Sequence, residues 1–125
     1  MVKIITPRKY GPHKINAEVK KQIDHTNRLL IFKKKPYLDS FLFYSCFEDR
    51  IELLDWFLYK DSEIDTDLTK ILLYFLKTKG SIVINLEKTL PEYDGYCWVS
   101  ELLDNVVEKT TDKSYITWKL KDCTT

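Results

Sequence analysis

Glycine is scarce in this chain. The 125 residues hold three, isolated at positions 11, 80 and 95, so no glycine-rich loop is present to cradle a phosphate. Only four prolines accompany them, and with 44% apolar and 14% aromatic residues the composition is that of a globular protein with short connections. Cysteine is sparse too: Cys46, Cys97 and Cys123 are odd in number and far apart, so neither a disulfide framework nor a zinc site is indicated. The two histidines, His13 and His25, lack the i, i+4 pairing of a helical metal motif and read as surface residues. No metal or other cofactor is therefore expected. No apolar run reaches the roughly 18 residues of a membrane-spanning helix, and the first residues lack the apolar core of a secretory signal, which points to a soluble, cytoplasmic protein. No spacing places a base beside a nucleophile, so no enzyme is expected.

What is present is a strong local pattern at residues 65–86. Asp65, Thr66 and Asp67 supply an N-cap and negative charge for a helix that ends with Lys77, Lys79 and the left-handed stop Gly80. Between them Leu68, Ile71, Leu72, Phe75 and Leu76 follow helical spacing, with Leu73 and Tyr74 widening the stripe. Ile82, Val83, Ile84 and Leu86 then form an apolar run without alternation, as in a strand buried on both faces.

The remaining elements follow from period and punctuation. Residues 2–6 read as a short strand, 16–24 as a helix, and 28–33 and 41–47 as a hairpin around Pro36, with a backward extension of the next helix as the alternative for 37–47. At about 100° per residue, 48–60 reads as an amphipathic helix with Ile51, Leu53, Leu54, Phe57 and Leu58 inward, Glu52, Asp55 and Tyr59 outward and Trp56 at the border. A last helix at 97–109 and an alternating strand at 114–120, with Ile116, Trp118 and Leu120 inward, complete the chain. The expected fold is one α+β domain spanning residues 1–125, with a small mixed or antiparallel sheet of about four or five strands packed against about four helices.

Charge is divided along the sequence. Residues 1–35 carry ten Lys or Arg against two acidic side chains, a balance of +8, and the other 90 residues carry ten against seventeen, a balance of −7. The basic third sets Arg8 and Lys9 beside Tyr10, and Lys33, Lys34 and Lys35 beside Tyr37, a combination of phosphate contact and ring stacking that would suit nucleic acid. The acidic stretch 48–67 sets carboxylates around Trp56 and Tyr59, and Tyr93, Asp94 and Tyr96 repeat the mixture. Carboxylates steer a basic protein and aromatic rings supply buried contact area. On this reading Glu52, Asp55, Trp56, Tyr59, Tyr93, Asp94 and Tyr96 bind a basic protein partner, such as a nuclease toxin, as an immunity or antitoxin protein would. A nucleic-acid-binding accessory protein using Arg8, Lys9, Lys33, Lys34 and Lys35 is the alternative.

Leu90, Pro91, Glu92, Tyr93 and Gly95, with a helix and then a strand expected after them, resemble the segment leading into the ribonuclease-contacting helix of the barstar family. The likeness is short and local. Cys97, Trp98, Val99, Ser100 and Glu101 depart from that family's continuation, so no binding residue is carried over. What the resemblance implies is an acidic inhibitor of a basic enzyme.

Overall fold

Ile64, Leu68, Leu72 and Leu76 recur at every fourth position and are all buried; they form the inner stripe of helix α1, Ser62–Lys79, in a computed structural model of the chain. The residues described are 24–33, 40–87 and 98–121, with the backbone of a first strand at 2–5. The helix begins a turn earlier than its acidic residues suggest. Asp61 is the N-cap, its side chain accepting the backbone N–H of Glu63 at 2.9 Å and of Ile64 at 3.2 Å, so Asp65 and Asp67 lie inside the helix. The stop is at Gly80 as expected, with φ at 91° and its N–H donating to the Leu76 carbonyl at 3.0 Å. A residue with a Cβ would be strained there.

The strands are β1 (Val2–Ile5), β2 (Asn27–Phe32), β3 (Ser40–Cys46), β4 (Ile51–Phe57), β5 (Ile82–Asn85), β6 (Val107–Thr111) and β7 (Tyr115–Leu120), and a short helix α2 (Trp98–Leu103) precedes β6. They form one sheet in the order β1-β2-β3-β4-β5-β7-β6. Every pairing is antiparallel except β4 with β5, which α1 connects. Parallel neighbours need a crossover, and the 18-residue helix provides it.

This architecture corrects the expected one. Among the described residues there are seven strands and two helices, where four or five strands and about four helices were expected. The expected helix at 48–60 is strand β4, because Ile51 to Phe57 find backbone partners on β3 and, at the strand's start, on β5. An apolar run this short satisfies both helical and strand periods, and non-local pairing selects between them. The expected helix at 97–109 stops at Leu103, after which Val107 begins β6. The strand expected at 41–47 is present as β3, at 40–46. The expected helix at 16–24 lies outside the described residues except for Asp24.

Over the central strands β2 to β5 both faces of the sheet are withdrawn from water. On one, Leu30, Leu42, Leu53, Ile82, Ile84 and Trp118 pack with α1 and with Val99 and Leu103 of α2. Phe75 of α1 meets Tyr44 of β3 at 5.0 Å between ring centroids. Five buried side chains on α1, at roughly 1.5–3 kcal/mol each, outweigh the ~1 kcal/mol of a cap. Packing therefore holds the helix in place and the cap sets where it begins. On the other face Leu29, Ile31, Phe41, Phe43 and Leu54 form a second buried cluster.

A bulge in β4 joins the two faces. Pairing runs from Phe43–Asp55 to Tyr44–Leu53, leaving Leu54 as the extra residue. Opposite residues share a face, so Asp55 turns to the Phe43 side, while Trp56, opposite Leu42, returns to the helix side.

Candidate protein-binding surface

The residues chosen from the sequence as an outward helical face are in the sheet. Glu52 is 2% exposed, Asp55 1% and Trp56 8%, so in the folded chain they present no surface of the kind expected. The cause is the change of period: on a helix Glu52 and Asp55 lie opposite the apolar arc, whereas on β4 they point into the second buried face. One oxygen of each carboxylate is hydrogen-bonded there. Asp55 Oδ1 accepts the Trp56 backbone N–H at 2.9 Å, and Glu52 Oε1 accepts Arg50 Nε at 3.2 Å.

Arg50 ties the β3–β4 turn together. It also donates to Asp49 Oδ1 at 2.8 Å and lies 4.1 Å over the Phe47 ring. Desolvation acts to lower its pKa, but the hydrogen bonds to Glu52 and Asp49 and the charges of those carboxylates outweigh it and raise the value, so the group stays cationic. The Trp56 ring meets Trp98 of α2 edge-on at 5.7 Å, which makes it a link between the sheet and the short helix.

Tyr59 is half-buried, and its backbone N–H donates to Ser40 Oγ at 2.9 Å. Tyr93, Asp94 and Tyr96, and the barstar-like stretch with them, lie outside the described residues. So do Arg8, Lys9, Lys34 and Lys35 of the basic set, whereas Lys33 is described and exposed.

An acidic and aromatic surface does exist, one element further along. Phe57, the last residue of β4, is 47% exposed, and its ring stands edge-on to Tyr59 at 4.9 Å. From there the chain passes Lys60 and the cap Asp61 into the first turns of α1, where Glu63 is exposed and Asp65 and Asp67 are half-exposed. Ser62, Glu63, Thr66 and Asp67 line a shallow open depression. These carboxylates lie at the positive end of the helix dipole, which stabilises them in place.

The sequence holds a signal for this surface that the charge pattern obscures. The four-residue repeat Ile64, Leu68, Leu72, Leu76 begins three positions after Asp61, the spacing expected of an N-cap. It dates the helix to residue 62 and leaves Phe57 and Tyr59 before it. Reading Phe57 as inward missed its exposure.

Among the described residues no group of three or more His, Cys, Asp or Glu could hold a metal ion, and no helix is long and apolar enough to cross a membrane. The chain matches no protein-family model, no curated protein and no solved structure.

Proposed function

We propose that this chain is a non-enzymatic, cytoplasmic protein-binding inhibitor of the immunity or antitoxin type. It captures a basic protein, such as a nuclease toxin, through the surface at the end of β4 and the opening of α1. The observation that carries the reading is the exposed Phe57 ring held edge-on against Tyr59, next in sequence to an acidic helix start. An exposed ring held by a neighbour loses little freedom on binding, and carboxylates around it raise the encounter rate with a cationic surface. The surface replaces Glu52, Asp55 and Trp56, which the sheet buries, and keeps Tyr59 from the original set.

The test starts from affinity purification out of the native cell, with and without nuclease, followed by titration of the purified recovered protein. Glu63→Lys with Asp67→Lys is expected to slow association, and Phe57→Ala to speed dissociation and weaken binding by about tenfold or more. Recovery that depends on nucleic acid would favour the rival reading, a nucleic-acid-binding protein using Arg8, Lys9, Lys33, Lys34 and Lys35. A partner whose affinity neither variant alters would remove this surface from the proposal.

A further inference from the structure

The sheet ends at β6, and no strand among the described residues pairs with its outer side. The ladder with β7 is bracketed by two hydrogen bonds, Lys121 N–H to the Val106 carbonyl at 2.8 Å and Asp112 N–H to the Tyr115 carbonyl at 2.9 Å. Antiparallel pairs alternate between bonded and non-bonded, so Glu108 and Thr110 direct their backbone groups toward β7, as do the Val106 carbonyl and the Asp112 N–H, while the Val106 N–H donates to the Leu103 carbonyl at 2.8 Å. The backbone groups of Val107, Lys109 and Thr111 therefore point outward. Glu108, Lys109, Thr110 and Thr111 are all exposed, and Val106, at 40% exposed, stands beside them. Such an edge is a template for pairing, and the nearest available strand in any concentrated solution is the same strand of a second copy.

We infer that Glu108 and Lys109 are placed to prevent that pairing: the β6 edge is guarded against a second copy of this chain. A two-fold antiparallel pair must set outward-pointing residues opposite outward-pointing residues, which leaves three registers centred on interior residues of the strand. Centred on Glu108, the two Glu108 side chains face each other. Centred on Lys109, the two lysines do. Centred on Thr110, Glu108 faces Asp112 of the second copy. Each register sets like charges directly opposite, which destabilises a strand pair. Within the chain Glu108 faces Lys119 on β7, so the same charge is compatible with the native ladder and opposed to the self-paired one.

The experiment is sedimentation equilibrium on the full chain. Glu108→Thr with Lys109→Thr removes both charges and substitutes a residue suited to strands, and its self-association constant is expected to exceed the wild-type value by about tenfold. A second arm uses Lys109→Glu mixed with the wild type, which sets the new carboxylate opposite the native Lys109 in the register centred there. The mixed pair is then expected to exceed both homodimers, as read by native mass spectrometry with one chain isotopically labelled. A double variant that unfolds at the wild-type denaturant midpoint and associates no more strongly than wild type overturns the inference. So does a mixture in which the two chains pair no better than either alone.

Discussion

Two acidic segments lie within fifteen residues of each other and meet opposite environments. In β4, Glu52 and Asp55 are almost fully buried against the second face of the sheet, and one oxygen of each is taken up, Glu52 Oε1 by Arg50 and Asp55 Oδ1 by the backbone N–H of Trp56. At the opening of α1, Asp61 caps the helix while Glu63 and Asp67 stand at the surface. Similar residues are part of the interior in one segment and of the candidate binding surface in the other. Carboxylate density along a sequence therefore does not separate interior from exposed carboxylates; the element that carries them, and what that element pairs with, does.

The sharpest way to break this contrast is charge reversal on each side. Glu52→Lys with Asp55→Lys would bury two ammonium groups, each at a cost of about 3–5 kcal/mol, together of the order of the whole ~5–15 kcal/mol of a small domain. The double variant is expected to lack a cooperative denaturant transition; a normal midpoint would mean that β4 does not bury these side chains.

Phe75→Ala tests the helix side of the core, where the ring is 8% exposed and packs on Tyr44. It is expected to cost about 3–5 kcal/mol in urea unfolding, and a loss below about 1 kcal/mol would place Phe75 outside the core. Asp61→Ala removes the cap and should cost about 1 kcal/mol. Asp65→Ala should cost less, because Asp65 accepts no capping bond; the reverse order would move the helix start back to where its acidic residues suggested.

Burial has a pH signature on the helix side. The Tyr44 phenol is desolvated and lies near Cys46, which together outweigh the opposing charge of Arg28 and push its pKa from 10.0 up to about 12. A raised folded value means that the stability contribution is complete below pH 10.0 and is lost as pH rises from there through about 12. Tyr44→Phe should remove that part of the alkaline loss, seen as a smaller change in denaturant midpoint across this window than in the wild type. The smallest effect is expected from Glu63→Lys with Asp67→Lys, within about 1 kcal/mol of wild-type stability apart from the lost dipole interaction. That near-neutrality, beside the collapse of the β4 double variant, would complete the contrast.

Local signals are legible where one period is strong and long. The stripe Leu68, Leu72, Phe75, Leu76, the stop at Gly80, the two-sided burial of Ile82, Val83 and Ile84, and the inward Ile116 and Trp118 all stand in the structure as the spacing implied. The segment Ile51 to Phe57 has a helical look in sequence because its apolar residues fit a helix arc, and the bulge at Leu54 breaks the alternation that marks a strand. Val107 to Thr111 escaped for a related reason: only Val107 is buried, so an edge strand with four exposed residues has no apolar pattern to show. The exposure expected of Glu52 and Asp55 fails as a consequence, since they belong to a strand and not to a helix.

By itself the sequence determined where α1 ends, which of its faces is apolar, and that β5 is enclosed, because helix caps and long apolar stripes act through residues a few positions apart. Only the tertiary structure decided that residues 51–57 are a strand, that β4 and β5 run parallel, and that one group of carboxylates is interior and the other exposed. Those outcomes depend on hydrogen bonds to β3 and β5, whose residues lie as much as thirty-one positions away in the pairing of Ile51 with Ile82. No local spacing encodes such a partner.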